Sequence, residues 1–202
     1  PNWIAPSVIP LFCLMAVYWQ DRVGAGRQVV PRGLGVALAL GLTATVLLHE
    51  TSFVDRLTGS PLPAKLDPLR RVRGWKDTAK LVGAARQELL AEGKPVFLIG
   101  EHYGITGLLS FYLPEAKAAV TREPLVFYRT SDRPKNQFYF WPGYTDRKGH
   151  NALYVRRGES MSPPPPELVA QFESVTNRPP QTVLLRKQPL RTLRLLECRG
   201  LH

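Results

Sequence analysis

Three side chains able to move protons stand in a row, Glu101, His102 and Tyr103. A carboxylate, an imidazole and a phenol all serve general acid–base work, and all serve as polar ligand-binding groups. They follow the apolar run Val96 to Ile99 and Gly100, and Gly104 comes directly after them. The run is short, continuous and partly β-branched, which predicts a strand buried on both faces. Beyond the turn at Gly104, Ile105, Leu108, Leu109 and Tyr112 recur at helical spacing until Pro114 ends the pattern. In open α/β sheets ligands collect outside the carboxyl ends of strands, where these three residues would lie. They suit a solvated turn as well as a ligand site. Successive residues at a strand end point to opposite sides, so Glu101 and His102 are not expected to work as a pair, and no nucleophile accompanies them. Asp132 and Asp146 are further carboxylates in expected loops. The chain has no phosphate-cradling glycine loop, no Gly-x-Ser-x-Gly elbow and no zinc-type spacing of Cys and His.

The elements that would position these groups fill residues 75–202. A helix is expected from Trp75 to Glu92, with Trp75, Ala79, Val82 and Leu89 as its apolar stripe and Gly93 as its cap. Strands are expected at Leu125 to Tyr128 and at Asn151 to Val155, the latter introduced by the turn Asp146 to Gly149. Between them lies the aromatic run Asn136 to Tyr144, which reads either as the packing of an edge strand or as a platform for sugar or lipid. Pro163 to Pro166 starts a helix whose apolar face is Leu168, Phe172 and Val175. Thr182 to Lys187 and Thr192 to Cys198 read as a hairpin turning at Gln188 to Arg191. This pattern predicts a soluble α/β domain with a mixed sheet.

The first 49 residues differ in kind. Trp3 to Gln20 carries no charge and is flanked by Trp3, Tyr18 and Trp19, as interfacial aromatic belts are. Gly33 to His49 is also uncharged, with Gly33, Ala37 and Gly41 as a stripe of small residues. Two transmembrane helices, about 3–20 and 33–49, are therefore expected, followed by a proline-rich linker over 50–74. Arg22, Arg27 and Arg32 between the spans place that loop in the cytoplasm and the α/β domain on the far side. The chain opens Pro-Asn-Trp with no initiator Met and is expected to be a fragment. Its net charge of +11 is spread without an aromatic-interleaved stripe, so membrane lipids or a phosphate-bearing substrate are the expected partners, and no nucleic acid.

Several strings carry a resemblance. They are Asn2-Trp3-Ile4-Ala5-Pro6, Asp67 to Trp75, His102-Tyr103-Gly104, Phe111 to Pro114, Asn136 to Tyr144 and Gly149 to Ala152. Together they resemble the C-terminal part of bacterial GT-C membrane glycosyltransferases. That family is similar to dolichyl-phosphate-mannose-protein mannosyltransferases and to the aminoarabinose transferase of lipid A. The resemblance implies a multi-pass enzyme of the bacterial inner membrane that moves a sugar from a polyprenyl-phosphate carrier to an extracytoplasmic glycan, lipid or protein acceptor. It implies an inverting displacement assisted by a carboxylate, with the leaving phosphate balanced by cations or a divalent metal. In the family that carboxylate lies in a loop near the N terminus which this sequence lacks. The catalytic residues are thus not assigned, no cofactor is expected for this piece, and alone it is expected to be inactive. By the same resemblance Asn2 and Trp3 would border the carrier lipid, Trp3 serving alternatively as an interfacial anchor. Arg70, Arg71 and Arg73 would meet carrier phosphate or head groups, or form a solvated basic entry. His102, Asn136, Gln137 and Trp141 would help bind the acceptor. The competing class is a non-enzymatic anchored module that recognises a glycan or an envelope partner.

Overall fold

The computed structural model describes residues 5–50, 53, 56, 59, 63, 66, 67, 69–129, 137–158 and 162–202. The chain divides into two compact units, Pro1–Leu62 and Pro63–His202.

In the first unit α1 (Ala5–Gly24) and α2 (Val29–His49) form a helical hairpin that turns at Gly26, whose φ is +76°. Among the described residues α2 is the one helix long and apolar enough to cross a membrane. Its 21 residues reach about 31 Å, and none of its side chains is buried against the chain. Thr43 and Thr45 fit such a helix because their hydroxyls donate to the carbonyls of Ala39 and Gly41, each at 2.8 Å. The expected first span is also a helix, but it runs on through Asp21 and Arg22, and a crossing is not shown for it. The Arg22 guanidinium lies 4.7 Å from the centre of the Tyr18 ring. The loop expected over Asp21 to Arg32 narrows to Ala25–Gln28, since both helices extend into it. Gly33 and Ala37 line a crevice with Tyr18 and Trp19, the close approach that small residues allow.

The second unit is a mixed sheet with helices. In chain order it contains α3 (Trp75–Leu90), β1 (Val96–Gly100), α4 (Tyr103–Tyr112), α5 (Pro114–Ala119) and β2 (Val126–Tyr128). A short 3-10 turn (Gln137–Phe140), β3 (Asn151–Arg157), α6 (Pro166–Gln171), β4 (Phe172–Asn177), β5 (Gln181–Leu185) and β6 (Gln188–Leu201) follow. The strand order is β2-β1-β3-β6-β4, with β5 also paired to β6. β1 runs parallel to both β2 and β3, while β6 is antiparallel to β3, β4 and β5. β1 is buried along its whole length, as a continuous apolar run demands, because its alternate side chains enter two different cores. Leu98 joins Trp75, Ala79 and Val82 of α3 and Ile105 and Leu109 of α4 on one face. Phe97 and Ile99 join Phe127, Tyr144, Tyr154, Leu168 and Phe172 on the other. Tyr144 is the pillar of that second core, its ring 5.2 Å from Phe97 and 5.7 Å from Phe127.

Three expectations are corrected here. The helix expected to carry Leu168, Phe172 and Val175 on one face stops at Gln171, and Phe172–Asn177 is strand. The helix-like spacing has a cause: Gly200 on the partner strand sits at φ +64° and breaks the alternation. Cys198 and Leu201, three apart, thereby meet the same core as their partners Val175 and Phe172. A Cβ at Gly200 would collide with the Glu173 carboxylate. The hairpin turns at Arg186-Lys187, not at Gln188 to Arg191, both residues taking positive φ as a two-residue hairpin turn requires. Pro189 is tolerated inside β6 because the ladder shifts register beside it, between Val183 and Leu184. Lastly, Gln137–Phe140 is a 3-10 turn and not an edge strand.

Candidate functional site

On the second-core face, period-two alternation carries each apolar series into a polar residue at the same end of the sheet. Phe97 and Ile99 lead to Glu101, Phe127 leads to Arg129, Ala152 and Tyr154 lead to Arg156, and Leu196 leads to Arg194. Backbone bonds continue the parallel ladder into this row. The Glu101 N–H donates to the Val155 carbonyl and the Arg129 N–H to the Gly100 carbonyl, each at 3.0 Å. Arg156 and Arg194 are direct cross-strand partners, and both are buried. Glu101 and Arg129 are half-buried. The row therefore sits where ligands collect in α/β sheets, at the carboxyl ends of parallel strands.

Tyr154 stands beneath the row and is 0 % exposed. Its hydroxyl has no hydrogen-bond partner; the Arg129 guanidinium comes near enough to favour the phenolate but falls short of bonding geometry. Burial pushes the phenol well above the ordinary tyrosine range, the Glu101 carboxylate adds to the rise, and Arg129 and Arg156 oppose it.

Arg129 also belongs to a cleft along β2, the terminal strand of the sheet order. Tyr128, Phe138, Tyr139, Trp141 and Pro142 line it, and its volume is about 180 Å3. Phe138 stacks on Tyr128 at 5.9 Å and tilts against Trp141 at 4.8 Å, so the rings form one continuous wall. That volume is well below the roughly 300–1,000 Å3 of a drug-sized pocket, and it suits a single ring-sized group. Phe140 and Trp141 are exposed beside it, at 82 % and 52 %.

Glu101 and His102 point apart, as alternation at a strand end predicts. Glu101 faces Tyr154, whereas His102 turns away as the N-cap of α4, its Nδ1 accepting the Gly104 N–H at 3.1 Å. The Tyr103 ring lies 4.0 Å from the imidazole, and both side chains are exposed. Gly100 makes this arrangement possible, because a Cβ there would collide with Thr106 in the first turns of α4. Gln137 opens the 3-10 turn and is exposed, and Trp141 lines the cleft. Asn2, Trp3 and Asn136 lie outside the described residues.

Arg70, Arg71 and Arg73 belong to a locked turn. Arg73 pairs with buried Asp67 at 3.3 Å, and the Trp75 indole N–H donates to the Arg71 carbonyl at 2.8 Å. Arg191 lies 4.0 Å over the Trp75 ring and donates to the carbonyls of Arg70 and Arg73. Burial, seconded by the charge of Arg157, lowers the Arg191 guanidinium to about 10. The side chains of Arg70 and Arg71 are exposed.

Tyr154, Arg129, Arg156 and Arg194 were not singled out from the sequence. The available signal was that strands ending in Ile-Gly-Glu, Phe-Tyr-Arg and Tyr-Val-Arg each place a charge two residues beyond an apolar side chain. Among the described residues no three His, Cys, Asp or Glu gather to hold a metal ion. Both cysteines are free, and burial pushes the Cys198 thiol up to about 12, which leaves it inert. No family model, no curated protein and no solved structure matches this chain.

Proposed function

We propose that this chain is the membrane-anchored C-terminal part of a glycosyltransferase that uses a polyprenyl-phosphate-linked sugar, and that its α/β domain holds the saccharide acceptor. The observation carrying the reading is the aromatic cleft beside β2, where Tyr128, Phe138, Tyr139 and Trp141 wall a ring-sized space with Arg129 at its edge. Aromatic faces pack on the C–H faces of sugar rings, and a neighbouring guanidinium fixes hydroxyl or acidic substituents. The motif strings resembling GT-C transferases supply the reaction, and the apolar helix α2 supports the membrane setting. In this proposal α1 also spans, the protein resides in the bacterial inner membrane, and the α/β domain lies outside the cytoplasm. The catalytic carboxylate and any divalent metal belong to a part of the enzyme other than this chain. A non-enzymatic anchored module would use the same cleft for the same glycan.

The test is a titration of the chain in lipid nanodiscs with hexose and pentose oligosaccharides, followed by tryptophan fluorescence. Trp141→Ala is expected to weaken saccharide binding about tenfold, the worth of one aromatic contact. In the full-length enzyme the same substitution is expected to raise KM for the acceptor with kcat unchanged. Saccharide affinity and acceptor KM both indifferent to Trp141→Ala would sink the reading. Binding without turnover in the full-length protein would select the non-enzymatic module.

A further inference from the structure

The aromatic cleft leaves a second feature unused, the buried Tyr154 hydroxyl among charged groups. An unbonded buried hydroxyl is costly, and phenylalanine would fill the same space without that cost. The hydroxyl sits under the carboxyl ends of three parallel strands, where Arg129 follows β2, Glu101 follows β1 and Arg156 continues β3. These are the groups whose charges bear on it, two guanidiniums against one carboxylate. Arg156 is itself buried, and one nitrogen of its fork donates to the Ser162 carbonyl. From this geometry we infer that Tyr154, Arg129 and Arg156 form an oxyanion site for a phosphate group carrying a single surplus charge, as a phosphodiester or phosphate monoanion does.

The chemistry suits such a guest. Guanidiniums donate in a fork that matches phosphate oxygens, and the phenol adds one neutral donor from below. The charge of Glu101 offsets one of the two cations, and its carboxylate can accept from a hydroxyl on the guest. Because Arg129 also edges the aromatic cleft, a phosphate bound here would leave its organic substituent directed at the aromatic wall. The site does not depend on the saccharide reading: phosphate binding can hold where oligosaccharide binding fails, and the reverse.

The experiment uses the whole chain in nanodiscs and follows its thermal midpoint with three probes. Inorganic phosphate stands for the free ion, glucose 1-phosphate for a sugar ester, and polyprenyl phosphate added to the nanodisc lipid for a head group. At least one probe is expected to raise the midpoint as a ligand of the folded state does. Tyr154→Phe is expected to keep the fold and to weaken that probe about tenfold, the worth of one hydrogen bond to a charged group. Arg129→Ala is expected to remove the response, and Arg129→Lys to restore it only in part, since the fork is lost. The probe that responds most strongly names the source of the phosphate. Two results overturn the site. One is no response to any probe. The other is a response that Tyr154→Phe and Arg129→Ala leave intact, which would mean general ionic stabilisation, with water as the partner of the hydroxyl.

Discussion

Arginine gathers at two places in the α/β domain, and its company differs. Beside α3, Arg178 and Arg199 are neutralised. Arg178 pairs with Glu88 and, at 3.1 Å, with Glu197; Arg199 pairs with Glu92 at 2.6 Å and with the same Glu197 at 2.7 Å. This chain of alternating charges ties α3 to β6, and each guanidinium finds its carboxylate within the protein. At the carboxyl ends of β1, β2 and β3, Arg129 and Arg156 stand with the single carboxylate of Glu101 about an unbonded tyrosine hydroxyl. The first cluster is complete as it stands and acts as a clamp. The second carries two cations against one carboxylate, which is the condition of a binding site and a burden on stability.

The difference can be tested by removing one group from each cluster. Glu197 bridges both arginines of the clamp and is only 17 % exposed, so Glu197→Ala removes two ion pairs at once. The expected loss is about 2 kcal/mol in urea unfolding, between the worth of exposed and of buried pairs. A loss below a few tenths would show the clamp to be ornamental. Tyr154→Phe should act in the opposite direction: without ligand, unfolding is expected to be unchanged or up to about 1 kcal/mol harder, because an unbonded hydroxyl is removed. A clear destabilisation would show the hydroxyl to be bonded after all. The smallest effect concerns acid. The hydrogen bond from Arg199 holds the exposed Glu92 carboxyl below its ordinary range. Its contribution is complete above the ordinary glutamate value of 4.5 and drains away as pH falls through the lowered folded-state value. Glu92→Gln is therefore expected to flatten the acid limb of the stability profile while leaving the neutral and basic limbs parallel to wild type.

Much of the domain was legible from pattern alone. β1 announced itself by a short β-branched run closed by glycine, and α3 by its apolar stripe and Gly93, whose φ is +90°. Local rules sufficed there because each element is held by its own neighbours. β4 was missed because Gly200, far along the chain, lets residues three apart share a core and so imitates a helix. The hairpin turn was missed because Arg186 and Lys187 carry none of the usual turn chemistry, and the pairing of β5 with β6 imposes their positive φ. The candidate site divides in the same way. Glu101 was visible as the polar residue after a buried strand, whereas Tyr154 was one unremarked residue of the strand expected at Asn151 to Val155.

The sequence by itself determined an apolar helix over 33–49, observed as Val29–His49, the presence of an α/β domain and the place in the chain where a strand would present polar groups. Those properties follow from composition and periodicity, which act within one or two turns of the chain. That Glu101 parts from His102 follows from strand alternation; only the tertiary structure decided that Glu101 joins Arg129, Tyr154 and Arg156. The reason is strand order: parallel neighbours are brought side by side by crossovers, and no local signal records which strand will lie next to which.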